Sequence, residues 1–445
     1  MIIKDLMEHI KTKKSADKNI SIAKLVRFQG EKSSHNENEV EFIAEEYGSY
    51  MDDNSNNDYP LYNQNEAIDK DKNPFYGSGI RKKLPFLIDS NCFQELVELK
   101  TSNENCSYVS CVDELLESGY VPKKIPAILM GCDLKRVDER AKEGKVYSIT
   151  AEKFGSKMLN FFEIPTMFCE NLTFKGENQD QQYVATVDFI KYGEIMMSVN
   201  EYLADYVYAG EEFRISSRTI EDVVALNEQV IRFHYKNVEE QFGLPENFDL
   251  EREVSKSNEE VAYRHFIRRY SLGDGDSVAR NVGKIVNKKT HMMSSSSEFD
   301  LEDVAHFDKN FFPEGFANMF ERAQKQGIEM EKLMVLYFDY QVSDYVSNNF
   351  IKDVETMSKK YTNALNKYIK KSNELLEKDE NGISKLDDFL EILEEGVVEP
   401  ARETDNNNDL QNNEQKSISQ IFASNFKFVN AVCEYYAEKN DVMEC

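Results

Sequence analysis

Two stretches of this chain carry almost nothing that can pack, and they confine whatever folds to the segments around them. Asp52 to Asn73 reads DDNSNNDYPLYNQNEAIDKDKN, and Arg402 to Lys416 reads RETDNNNDLQNNEQK. Neither buries enough apolar surface to offset the entropy of ordering it, so 52–73 and 402–416 are expected to be disordered linkers. They leave an N-terminal extension, 1–51, to which no role attaches; a central body, 74–400; and a tail, 417–445.

The body has the material for a core, since 40% of the 445 residues are apolar. Its charge narrows the partners. Asp and Glu number 81 against 54 Lys and Arg, a net charge of −27. A surface so acidic repels phosphate backbones and anionic lipid, which argues against general nucleic-acid binding and against a membrane-surface role. No run reaches the ~18 apolar residues of a spanning helix, and the opening MIIKDLMEHIKTKK is too polar for a secretory signal. The seven cysteines are scattered without a C-x-x-C, and the six histidines form no H-E-x-x-H. Disulfide frameworks and zinc sites are not indicated, and a cytoplasmic location is expected.

Along the body, PFLI (Pro85 to Ile88), ELVELK (Glu95 to Lys100) and YVATVDFI (Tyr183 to Ile190) read as strands, short and rich in large or β-branched residues. EKFGSKMLNFFEIP, opening at Glu152, reads as a helix. So does the segment from Thr219, where Thr219 is a plausible N-cap, acids fill the first turn, and Val223, Val224, Leu226, Val230 and Ile231 follow. The run Ser294 to Ser297 reads as a flexible loop. After Pro313 the period is helical almost throughout. The tail carries Ile418, Ile421, Phe422, Phe426, Val429, Val432, Cys433 and Tyr436, one apolar helical stripe that must dock on the body or on a partner. Strands first and helices afterwards predict an α+β architecture in two parts, with a cleft between them as the default site.

The segment with most chemical content is RRYSLGDGDSVARNVGKIV, followed by SSSSEFDLED. Asp276 and Asn281 stand as D-x-x-x-x-N, and Asp300 follows in the setting Phe299-Asp300-Leu301. Phosphoryl transfer needs a carboxylate beside the attacking hydroxyl and oxygen ligands that hold Mg²⁺ against nucleotide phosphates. This set supplies both. Gly273 and Gly275 let the backbone turn tightly before Asp276. A calcium loop is the competing reading of GDGD, but the EF-hand spacing and its closing Glu are not met. D-x-x-x-x-N alone also arises by chance, and it is the second acid, Asp300, that gives it weight.

These residues resemble the HipA-like bacterial Ser/Thr protein kinases, whose catalytic loop has the D-x-x-x-x-N pattern and whose metal-binding acid follows an aromatic. The resemblance is specific over residues 273–300. It implies a two-lobed protein-kinase-like fold, with a strand-rich N-lobe at 74–200, a helical C-lobe at 201–400, and extra segments at both termini. It implies ATP and Mg²⁺ as cofactors, with Asp276 the catalytic base and Asn281 and Asp300 the metal ligands. Tyr76-Gly-Ser-Gly-Ile-Arg resembles the family's glycine-containing loop, which would turn the backbone of Gly77, Ser78 and Gly79 toward phosphates. Lys100 stands where the family places its nucleotide lysine, and Glu152 is the acid chosen to pair with it. A protein substrate, and a toxin or regulatory role, follow from the same resemblance. Two alternatives stay open: a catalytically inactive kinase-like scaffold or interaction protein working through the acidic surface or the C-terminal helix, and a structural protein of a phage or mobile element.

Overall fold

The computed structural model describes residues 83–102, 106–131, 148–174, 181–191, 194–203, 219–274, 277, 281–287, 289–301, 304–305, 344–395 and 418–443. Four strands, β1 (Lys83–Asp89), β3 (Lys124–Gly131), β5 (Cys169–Phe174) and β6 (Gln181–Val187), form an antiparallel sheet in the order β1-β3-β6-β5. Ile88 pairs with Ile125, and Ala127 with Val187. A short parallel pair joins β2 (Tyr108–Val109) to β4 (Thr166–Met167).

Side chains alternate across a strand, so β3, β5 and β6 each feed two cores. Ala127, Ala185 and Val187 face one side, where α1 (Gln94–Thr101) and α2 (Asp113–Glu117) add Leu96 and Leu116. There Phe168 meets Tyr108 edge-on at 5.0 Å and Phe93 at 6.1 Å. Ile128, Cys169 and Val184 face the other side, against Phe154 and Met158 of α3 (Ser148–Phe161) and Phe162 just after it. Both faces of the sheet are therefore covered by helix.

The helical portion begins at α4 (Ile220–Phe242), which starts where its sequence signals say it should: Thr219 and Asp222 form a reciprocal capping box. Its partner α5 (Leu250–Phe266) is capped by Asp249 and runs into a π-helical turn, Ile267–Ser271. A second sheet follows, β7-β8-β9, built from Glu194–Ser198, Gly283–Asn287 and Met293–Ser295. Then come α6 (Asp344–Lys360), α7 (Thr362–Leu376), α8 (Lys385–Glu395) and α9 (Ile418–Met443).

The largest core draws on both sides of the boundary expected at residue 200. It joins α3, β6, α4, α5 and α6 to α9. Phe154 meets Phe422 edge-on at 5.0 Å, and Phe162 stacks on Tyr368 at 5.8 Å. The apolar stripe of the tail is thus seated in the chain's own core: Phe422, Phe426, Val429, Val432 and Cys433 are all fully buried.

Three sequence expectations are corrected. ELVELK is helical, not a strand; Leu96 and Lys100, four apart, turn inward together, and so short an apolar run does not by itself distinguish the two periods. The serine run is no flexible loop, because Ser294 and Ser295 lie in β9 while Ser296 and Ser297 are buried. The order is not strands and then helices, since β8 and β9 follow α5. Among the described residues no helix is long and apolar enough to cross a membrane, and Cys92, Cys106, Cys111, Cys169 and Cys433 are free thiols.

Candidate functional site

The loop that opens at Gly273 is anchored from the residues before it. The sequence VAYRHFIRRYSL runs from the last turns of α5 through the π-turn, and it buries every one of its side chains, charged ones included. A buried guanidinium needs carboxylates and carbonyls around it, because desolvating an unpaired charge is prohibitive. Arg268, 2% exposed, has them. Its Nε donates to Asp274 Oδ2 at 2.7 Å and its Nη1 to Glu298 Oε2 at 2.8 Å and the Phe299 carbonyl at 3.1 Å. Its Nη2 donates to the Asp300 carbonyl at 3.0 Å. One side chain thus holds the start of the D-x-x-x-x-N loop against the segment that carries Asp300. These anions keep the guanidinium charged despite complete burial.

Further bonds reinforce the junction. Arg264, one turn earlier, donates to Glu298 Oε1 at 3.2 Å and pairs with Glu260. The Ala305 amide donates to the Leu272 carbonyl at 2.7 Å. Ser277, next to Asp276, shares a hydrogen bond with His265 Nδ1 at 3.1 Å. His265, Arg268, Ser277, Asn281, Ser295 and Glu298 line one small pocket behind the loop. Asp300 and Ala305 both adopt left-handed backbone, at φ 57° and 58°, as does Gly273 at 64°. Such angles are uncommon away from glycine and concentrate where function holds the chain in place.

Glu152 arrives from α3. It lies in the second turn rather than at the helix start, is 1% exposed, and accepts the Leu301 amide through Oε2 at 3.1 Å. Gly155, one turn on, permits the close approach: a Cβ there would stand 3.1 Å from Leu301 Cβ and from Val304 Cγ2.

Of the residues singled out in the sequence, Asn281, Asp300 and Glu152 therefore lie around one junction. Lys100 is elsewhere in its contacts. It ends α1 and forms an ion pair with Asp113 at 3.1 Å, both side chains nearly buried. Burial raises the Asp113 carboxyl pKa, with Lys100 opposing the rise. Asp276, Gly77, Ser78 and Gly79 lie outside the described residues. Among the described residues no group of three His, Cys, Asp or Glu is placed to hold a metal. The donors that Asn281 and Asp300 carry are an amide and a carboxylate oxygen, the hard oxygen ligands that suit Mg²⁺.

Sequence reading missed Arg264, Arg268, Asp274 and Glu298. The available signal was a pair of arginines four apart inside an otherwise apolar helical run, which places two charges on one buried face.

No family model matches the chain, and no curated protein matches it. Among solved structures, the crystal structure of a Helicobacter pylori proinflammatory kinase CtkA is similar to it at 9% identity, covering 73% of this chain and 91% of that one, with a TM-score of 0.38.

Proposed function

We propose that this chain is a HipA-like kinase that transfers the γ-phosphoryl group of ATP, with Mg²⁺, to a Ser or Thr hydroxyl of a protein. The observation that carries the reading is the buried Arg268 guanidinium, which draws Asp274 of the D-x-x-x-x-N loop and the backbone of Phe299-Asp300 onto one centre. In this reading Asp276 orients the attacking hydroxyl and accepts its proton, while Asn281 and Asp300 hold the cation. Mg²⁺, when bound, neutralises charge on the transferring phosphoryl group. The protein's own work is positioning. Arg268 and Glu152 fix the backbone on either side of Asp300, so little reorganisation is left for the moment of reaction. In this reading the amides of Gly77, Ser78 and Gly79 would contact the phosphates. Lys100 lies on a helix and is paired with Asp113 rather than with Glu152, a departure from the pairing that the resemblance implies.

That same engagement of Lys100 favours the second reading, an inactive scaffold of the same shape. The test is incubation of the full chain with γ-labelled ATP and Mg²⁺, wild type beside Asp276→Ala and Asp300→Ala, with ATP binding measured in parallel. Label on the chain or on a Ser/Thr acceptor, lost in both variants, supports the kinase. Binding without transfer supports the scaffold, and neither binding nor transfer sinks both.

A further inference from the structure

The π-turn Ile267–Ser271 joins α5 to the loop that opens at Gly273. Its defining bond, from the Leu272 amide to the Ile267 carbonyl at 2.9 Å, inserts one extra residue into the helical repeat. Arg268, in register with Arg264 on α5, faces Glu298 and receives Asp274, while Tyr270, two residues on and on the opposite side, faces α6. There the Tyr270 hydroxyl donates to Asp353 Oδ2 at 2.7 Å, and Asp353 Oδ1 accepts the Ile220 amide at 3.0 Å. Asp353 is fully buried. One carboxylate therefore pins three elements: α6, on which it sits; the first turn of α4, whose amide has no intrahelical acceptor; and the π-turn.

We propose that Asp353 is a positioning residue for the loop that opens at Gly273: by accepting the Tyr270 hydroxyl it locks the π-turn in the register that brings Asp274 onto Arg268. In its catalytic consequence this rests on the phosphoryl-transfer reading above. A return to ordinary helical register would shift the residues after the turn by one position and carry Asp274 off Arg268, releasing the start of the loop.

The grip depends on the charge of Asp353. As a carboxylate it accepts both donors. Once protonated, the proton must sit on Oδ2, and Tyr270 must swap from donor to acceptor, trading a charge-assisted bond for a neutral one. The charged groups acting on Asp353 are Arg269 of the π-turn and Lys352 of α6, both favouring the anion; Lys352 is itself tied to Glu221 of α4. Burial outweighs them and lifts the carboxyl to about 7. Tyr270, pushed well above its ordinary range by burial and by Asp353, keeps its proton.

The test uses the full chain as wild type, Tyr270→Phe and Asp353→Asn. Tyr270→Phe removes one oxygen and should lower kcat tenfold or more, with KM for ATP changed less than twofold. Asp353→Asn should abolish the acid limb of the kcat profile near pH 7. Wild-type kcat in Tyr270→Phe together with an unaltered pH profile in Asp353→Asn overturns the proposal. Hydrogen exchange provides a second arm that needs no activity. Amides 271–274 should exchange at least tenfold faster in Tyr270→Phe while those of α4 and α5 do not change; unchanged protection at 271–274 overturns the positioning role. A wild-type chain that transfers no phosphate defeats only the reading of the reaction, and the exchange data then decide the role of Asp353.

Discussion

Arg268 donates through Nε to Asp274 Oδ2 at 2.7 Å, and neither side chain reaches solvent. The pair stands on two legs, because the same guanidinium also satisfies Glu298 at 2.8 Å. Removing it takes the guanidinium from buried Asp274 and leaves Glu298 with Arg264 alone. Arg268→Met is therefore expected to destabilise the fold by at least about 3–5 kcal/mol, the usual cost of breaking one buried pair. Arg268→Lys keeps the charge but not the fork that reaches Asp274, Glu298 and the Phe299 and Asp300 carbonyls together, and should recover only part of the loss. Urea unfolding of the two variants checks this. A midpoint within error of wild type for Arg268→Met would mean that the network contributes nothing to the fold.

The contact between Glu152 and the Leu301 amide isolates the link from α3 to the Asp300 segment. Glu152→Gln keeps an acceptor at the same place. Glu152→Ala leaves a buried amide without one, at a cost of about 1–3 kcal/mol. The two variants should therefore differ in stability by that margin, and in the kinase reading Glu152→Ala should also lose more phosphoryl transfer than Glu152→Gln. Equal losses from both would point instead to the charge of Glu152.

Gly283 opens β8 directly beneath Ser296. A Cβ there would lie 2.1 Å from Ser296 Oγ, 2.9 Å from Ser296 Cβ and 2.8 Å from Met196 Cε. The methionine tip can move, but the Ser296 Cβ is fixed by its backbone, whose amide donates to the Gly283 carbonyl at 2.9 Å. Gly283→Ala is expected to destabilise by about 1–3 kcal/mol, as overpacking does. Ser296→Gly removes the obstructing atoms, so the double variant should be more stable than the sum of the two single changes implies. A strictly additive double-mutant cycle would sink the explanation.

What was legible in the sequence was what local pattern alone encodes. The strand through Tyr183–Val187, the Thr219 cap and the apolar stripe from Phe422 to Cys433 each announce themselves within one or two turns of chain. The misses have long-range causes. KIPAILMG was passed over as a strand because Lys124 and Pro126 interrupt its apolar run, yet it is the central β3, paired on both sides. Lys100 reads as a strand lysine, yet it lies in α1, where it pairs with Asp113. Asn281 and Asp300 could be named from spacing, but Arg268 could not. Its partners lie 30 to 32 residues away at Glu298, Phe299 and Asp300, and only the packing of β8 and β9 brings them back.

Lys284 supplies a prediction with a definite sign. It sits on β8, 1% exposed, its ammonium 3.0 Å from Ser257 Oγ and 3.1 Å from Ser295 Oγ. Burial pushes its pKa down from 10.5 to about 7, only partly opposed by Glu260. The fold thus prefers the neutral amine, whereas the unfolded chain keeps the proton up to about pH 10.5. Between those values the unfolded state binds more protons, so the contribution of Lys284 to stability improves as pH rises from about 7 toward 10.5. Below about pH 7 the cost of the buried charge is fully present and reaches several kcal/mol. Lys284→Met removes that titration without changing the length of the side chain greatly. The variant should gain on wild type most at about pH 6.5, and the difference in urea midpoint should shrink steadily toward about pH 9.5. A difference that stays constant across that range would show that Lys284 does not titrate with a depressed pKa, and the serine hydroxyls would then have to be holding a full ammonium charge inside the protein.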